Sequence, residues 1–302
     1  MKRIFLLALV TLISSLSYSQ ITTYTTEKPV VKEEPYDSLE SLCYANAKKH
    51  VGQRIFIKGT AYNKSTGGYY NKFKVSPSEF SDVYKPNSKK GTDYNAITGK
   101  YFTITKVEDK GIIKGLWLTL TDSVDVIYMN IDSHDFEKDY YVTVGYYEKM
   151  KSLLVGKTFI TKDEGVTMLA TGEQKDVPAR IRFKCVDVGI SVGENGSVFA
   201  VLYNEKYGKT RGKIAGEKKK RLVGYTDLDR YNKLVKRFGV GNANYISEGR
   251  IKVGMTKAMV EEAWGLPEDI NSTRGAYGNH EQWVYGSRYI YFEGNRLTTI
   301  QD

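Results

Sequence analysis

The sequence predicts an α+β protein: an N-terminal β-rich region of two related small-barrel-like units, then a C-terminal two-layer module of helices on a three-stranded antiparallel meander. Three observations carry this expectation. Between residues 37 and 205, apolar and polar residues alternate in short runs, the two-residue period of half-buried strands. Within that region the pattern recurs. Val51-Gly52-Gln53-Arg54-Ile55-Phe56-Ile57 returns 104 residues later as Val155-Gly156-Lys157-Thr158-Phe159-Ile160, and the run from Phe102 to Val107 returns 81 residues later as Phe183 to Val188. Beyond residue 225 the spacing becomes helical, with Leu228, Tyr231, Leu234, Val235 and Phe238 on one stripe. A chain of 302 residues has room for about two domains.

At the N-terminus, Lys2 and Arg3 precede an apolar run from Ile4 to Ile13 and then the small residues Ser17 and Ser19. That layout predicts a secretory signal peptide over residues 1–19, because the run is too short to span a membrane. The chain is therefore expected to be exported, periplasmic or outer-membrane-associated. The first cysteine is Cys43, so no lipoprotein is expected. Residues 20–36 show no periodicity and predict an extended leader. Asp37 and Glu40 have the spacing of a capping box, and Leu39, Leu42, Cys43 and Ala47 share a helical face, which predicts a helix from Asp37 to near His50.

The repeated pattern divides the β-rich region into units of 37–145 and 146–205. Its two offsets differ by 23 residues, assigned to an insertion in the Tyr-, Gly- and Lys-rich segment 62–98 of the first copy. Chance recurrence of short strand patterns is the competing explanation. Asn195-Gly196 suits a two-residue hairpin turn, and the segment from Glu108 to Gly111 suits the same role in the first copy. A pair of barrels of the Src-homology-3 kind, or one fused sheet, fits these elements.

Basic residues outnumber acidic ones 45 to 35, and loss of Lys2 and Arg3 with the signal would lower the formal charge from +10 to +8. Most of that excess lies between Lys206 and Arg221, where eight basic residues face Glu217 alone. Residues 206–224 therefore predict a basic linker. It is either merely solvated or in contact, through Lys218 to Arg221, with a cell-wall polymer or an acidic membrane surface. No interleaved aromatic pattern accompanies it, so no nucleic-acid partner is expected.

In the C-terminal module, residues 225–302, Thr226 with Asp229 offers an N-cap and Gly239 a stop. A short second helix is expected from about Ala243 to Glu248. Gly254-Met255-Thr256 then supplies a turn and an N-cap, and Trp264-Gly265-Leu266-Pro267 a stop. Three strands follow: residues 281–286, 288–293 and 296–300, the last pair joined by Gly294-Asn295. The elements Gly254-Met255-Thr256, Trp264-Gly265-Leu266-Pro267, Gln282-Trp283-Val284-Tyr285 and Tyr291-Phe292-Glu293-Gly294 together resemble the SmpA/OmlA (BamE-like) outer-membrane-assembly family over about residues 245–302. The resemblance implies two helices on a three-stranded sheet, a place in the bacterial envelope, and action through envelope-protein contact. Trp283, Tyr285, Tyr289 and Tyr291 are candidate contact or core residues. Gly254, Met255, Thr256, Gly265 and Pro267 set the backbone.

Catalytic chemistry is not expected. Cys43 and His50, on one helix, would stand about 10.5 Å apart along its axis, whereas a nucleophile and its base need about 3 Å. Cys43 and Cys185 either bridge in an oxidising compartment or remain two core thiols. Asp132, His134, Asp135 and Glu137 form a compact acidic cluster, but their spacing matches no calcium or zinc motif. His280-Glu281 is read as closing a loop. No metal or cofactor is expected. The expected function is that of an exported, non-catalytic envelope protein acting by protein contact, possible roles lying in outer-membrane assembly or maintenance. The alternative is a cell-wall peptide or glycan binder whose N-terminal units use aromatic loops such as Gly67-Gly68-Tyr69-Tyr70.

Overall fold

Strands predominate over helices in the computed structural model, and the class is α+β. It describes residues 36–302 except 41, 112–114, 132–139, 163–164, 195–197, 216–220, 276–277 and 302. The signal and leader up to residue 35, the Asn195-Gly196 turn, the 132–137 cluster and Lys218 to Lys220 lie outside the described residues.

The first unit is built on β1 (Arg54–Ile57), β2 (Tyr101–Asp109), β3 (Leu116–Thr121), β4 (Val126–Ile131) and β5 (Tyr141–Thr143). They run antiparallel in the order β4-β3-β2-β1-β5. The second unit has β6 (Thr158–Thr161), β7 (Arg182–Ile190), β8 (Val198–Asn204), β9 (Gly208–Ala215) and β10 (Tyr225–Asp227), in the order β9-β8-β7-β6-β10. The two orders are the same. Registers agree too, Ile55 facing Phe102 in one unit and Phe159 facing Phe183 in the other. An irregularity between Ile104 and Lys106 has its counterpart between Cys185 and Asp187. Gly52 N–H donates to Ile104 O (2.7 Å) and Gly156 N–H to Cys185 O (2.9 Å). These pairs stand at the offsets of 104 and 81 residues read from the sequence.

Between β1 and β2 the first unit carries α1 (Ala61–Thr66), the short strands Gly68–Tyr69, Phe73–Lys74 and Thr92–Asp93, and α2 (Tyr94–Ile97). Thr60 and Asn63 form a reciprocal capping box for α1. Gly68–Tyr69 pairs with Thr92–Asp93 and is buried, whereas Tyr70, in the turn that follows, is exposed. The aromatic run thus gives one ring to the core and one to the surface. Phe80, by contrast, is 98% exposed. Its loop is fixed from beneath by buried Lys74, whose ammonium donates to Asn71 Oδ1 (2.9 Å), Glu79 O (3.2 Å) and Ser81 O (3.2 Å).

The predicted first helix forms only as a 3-10 turn, Ala47–His50. Upstream, Asp37 Oδ1 accepts from Leu39 N–H as an N-cap would, but Asn46 Oδ1 takes the Cys43 N–H, a donor that the helix would need for the Leu39 carbonyl. Leu42 and Ala47 still pack into the first core. His50 is buried there, with Nδ1 3.1 Å from Asn46 O and its ring edge-on to Tyr36. Burial holds the His50 pKa below its ordinary 6.5 against the opposing carbonyls of Asn46 and Glu40 and the charge of Glu40. A lowered folded pKa means the unfolded chain binds the proton more tightly, so this stability is complete above the unfolded value and is lost as pH falls through 6.5. We expect the melting temperature of the wild-type chain to fall between about pH 7.5 and about pH 5.5, and His50→Gln to flatten that decline. Parallel slopes for the two chains would show that His50 is not held neutral by the fold.

Helix α3 (Val144–Leu154) follows β5 directly and packs into the second core with Met150 and Leu154. Lys58, wholly buried at the end of β1, joins the units: its ammonium donates to Gly59 O (3.3 Å) and Glu194 O (3.5 Å), and its carbonyl accepts from Gly193 N–H (2.9 Å).

The predicted basic linker is instead largely sheet. Strand β9 pairs with β8 on one side and with Val166–Met168 on the other, and Arg221–Leu222 pairs back onto its end. Thr210 and Gly212 point inward while Lys209, Arg211 and Lys213 alternate outward, so small inward residues carry the strand pattern. Gly212 packs closely, since a methyl there would lie 3.0 Å from Leu202 Cδ1. The second unit accordingly runs on to Asp227.

Cys43 and Cys185 are free thiols, so the suggested bridge is not formed. Cys185 is buried in the second core, where burial pushes its pKa up to about 11. Cys43 follows Leu42 at the first core.

Helix α4 (Leu228–Ser247) starts one residue later than expected, since Asp227 Oδ1, not Thr226, caps Arg230 N–H. Thr226 Oγ1 donates to Ser247 O instead. Gly239, at φ 75°, ψ 160°, interrupts the helical backbone as expected, so the α4 span holds two helices that meet at a kink, and the second of them covers the expected Ala243–Glu248 helix. Helix α5 (Lys257–Trp264) begins at Thr256, whose Oγ1 accepts from Met259 N–H, and ends at Gly265 with φ 89°. Four strands complete the chain: β11 (Asp269–Gly275), β12 (Gly278–Tyr285), β13 (Arg288–Glu293) and β14 (Arg296–Gln301). The meander is thus four-stranded rather than three-stranded. All seven residues of β11 are exposed, so its sequence shows no alternation to read.

Candidate docking face on the C-terminal sheet

Alternation along β12, β13 and β14 divides the module's aromatic residues between two faces. Trp283, Ile290, Phe292 and Leu297 point toward α4 and α5 and form the third core with Met255 and Val260. Trp283 is 2% exposed and packs on Phe292 at 4.6 Å between ring centroids. Its indole Nε1–H donates to Glu281 Oε2 (2.9 Å). Lys257, 2.7 Å away, and then the Trp283 and Asn279 donors hold the Glu281 carboxyl below the usual carboxylate range. Tyr285 shares this inner face. It lies edge-on to Trp264, and its hydroxyl donates to Gly265 O (2.9 Å). Burial, then the charge of Glu261, pushes its pKa up to about 12.

Tyr289 and Tyr291 lie on the opposite face, which no helix among the described residues covers. Register puts Asn271, Gln282, Tyr291 and Thr299 in one row across all four strands, and Asp269, Val284, Tyr289 and Gln301 in the next. Hydrogen bonds tie the rows together. Asn271 Nδ2 donates to Gln282 Oε1 (3.0 Å), Gln282 Nε2 to Tyr291 Oη (2.9 Å), and Tyr291 Oη to Gln301 Oε1 (2.9 Å). His280 and Glu293 pair at 2.6 Å in the adjoining row. His280 and Glu281 thus lie within β12 and on opposite faces, where neither closes a loop.

Of the named backbone residues, Gly254 adopts φ 92° and donates to Leu297 O (2.8 Å), and Met255 is buried. Gly265 closes α5, and half-buried Pro267 follows in the turn toward β11. The sequence named both outward tyrosines but not Asn271, Gln282 or Gln301, whose alignment depends on cross-strand register.

A face of phenols and amides held by mutual hydrogen bonds is ordered before it meets a partner and suits polar, shape-selective recognition. Among the described residues, no three His, Cys, Asp or Glu side chains gather as a metal site. A cleft of about 350 Å³ lies between the second unit and the C-terminal module. Two of its cations have partners: Lys157 lies 3.6 Å from Asp227, and Arg230 donates to Glu262 O (2.7 Å). This makes it a seam between packed elements. Comparison with known proteins returns no matching family model, curated protein or solved structure.

Proposed function

We propose that this chain is an exported, non-catalytic cell-envelope protein that acts by protein contact, in outer-membrane assembly or maintenance, with the uncovered face of the C-terminal sheet as its docking surface. The observation that carries this reading is the ladder through Asn271, Gln282, Tyr291 and Gln301, which holds an uncovered face in one shape. The likeness of the 245–302 motifs to the SmpA/OmlA (BamE-like) family supports the envelope assignment, as does the signal-peptide pattern of residues 1–19. We read the two β units as copies of one small-barrel-like unit, on the strength of their shared strand order and registers.

The test is affinity capture from crosslinked envelopes, with the wild-type chain against Tyr289→Ala/Tyr291→Ala. We expect the double variant to lose its protein partners while its melting temperature stays within a few degrees, because surface changes cost about 0.5 kcal/mol and the ladder bonds about 1 kcal/mol each. Unchanged capture would remove the face from the function. A second reading, a wall peptide or glycan ligand on the first unit, is favoured by Phe80, 98% exposed on a loop tied down by Lys74. Retention of wall fragments that disappears with Phe80→Ser would move the function there.

A further inference from the structure

The two edges of the C-terminal sheet are unlike. The β14 edge is closed by the chain itself: Gly254 N–H donates to Leu297 O (2.8 Å), Leu297 N–H donates to Met255 O (2.8 Å), and Thr256 bridges to Arg296. A register irregularity between Tyr291 and Phe292 lies in that strand pair as well. Among the described residues no other segment covers β11, although Asp269 Oδ1 accepts from the Ile270 N–H (2.8 Å). Among the described residues it pairs with β12 alone, in unbroken register from Asp269 opposite Val284 to Gly275 opposite Gly278. Its seven residues, Asp269 to Gly275, are exposed, contain no proline or lysine, and present Ile270 at 47% exposure. Soluble proteins ordinarily blunt such an edge with charge, proline, a bulge or a covering loop, because a bare strand recruits another strand; the charges of β11, Asp269 and Arg274, are of opposite sign and lie toward its two ends.

Charge indicates which strand fits. Glu268 and Asp269 stand at the start of β11 and Arg274 near its end. Beside an antiparallel copy of itself, this strand sets acid against base at both ends, whereas a parallel copy would set like against like. A two-fold axis at Asn271 places Glu268 opposite Arg274 and Ile270 opposite Ser272. Asn271 also ends the amide ladder, so the ladder would meet its own copy at the axis.

We propose that β11 is a self-association edge at which β11 of a second copy of this chain adds antiparallel, joining two four-stranded sheets into one of eight. Such an interface is isologous and closes at two copies. It leaves the uncovered sheet face accessible, so it does not depend on the docking reading above.

The test is sedimentation equilibrium of the full chain over a concentration series, with a circular-dichroism melt of each variant to confirm folding. We expect a reversible monomer–dimer equilibrium. Ile270→Lys, which places a charge mid-edge, should leave monomer only. Glu268→Arg and Arg274→Glu should each weaken the dimer about tenfold, and together restore it to within about threefold of the parent, since two symmetric pairs change sign at once. A monomer at about 100 µM, a dimer indifferent to Ile270→Lys, or charge variants that do not rescue one another would each overturn the proposal.

Discussion

Replacing Trp283 with alanine is expected to cost the C-terminal module about 3–5 kcal/mol, the range for truncating a buried aromatic side chain. The indole is 2% exposed, lies against Phe292, and is one of the largest wholly buried side chains in the chain. Its removal also takes a donor from Glu281, leaving that carboxylate to Lys257 and Asn279. A marginal module loses most of its stability at that cost. Chemical denaturation should show an early transition absent from the parent, while Trp283→Phe, which keeps much of the volume, should recover part of the loss. A cost under about 1 kcal/mol would contradict its place in the core.

The second large effect is expected at Gly59, where φ is 66° and the N–H donates to Tyr140 O (3.0 Å). A methyl group there would lie 2.7 Å from Tyr69 Oη and 2.9 Å from Tyr94 Cε2. Tyr69 cannot easily withdraw. It is wholly buried, its hydroxyl is 2.6 Å from Thr98 Oγ1, and Phe73, Tyr94 and Tyr140 surround its ring. Left-handed backbone strain and overpacking together predict a loss of about 2–4 kcal/mol for Gly59→Ala, measured by urea denaturation. Tyr69→Phe removes the nearest clashing atom, so the double variant should cost less than the sum of the single ones. Strict additivity would show that the strain is confined to the backbone.

Much of the β architecture was legible because its signals are local. The 104- and 81-residue offsets mark strands that take matching places in the two units. Thr256 and Gly265 act at the two ends of α5 as cap chemistry requires. What was illegible depended on partners far along the chain. The segment from Asp37 to Asn46 has helical spacing, but the Asn46 side chain takes the Cys43 N–H that the helix would need. Strand β9 hides behind its charges because its inward positions are Thr210 and Gly212. Strand β11 buries nothing, so no hydrophobic period could announce it. At the candidate face, aromatic composition was enough to suggest Tyr289 and Tyr291. Only the register among β11, β12, β13 and β14 aligns the amides that hold Tyr291 in place.

Each β unit sets its first strand beside its last, β1 against β5 and β6 against β10, in antiparallel pairs. The chain therefore enters and leaves each unit at the same end of one ladder. Tension applied across such a unit pulls the two strands apart sideways and loads the perpendicular hydrogen bonds one pair after another. A unit stretched between anchors would open like a zipper at low force and lengthen, so the β region is mechanically compliant despite its well-filled cores.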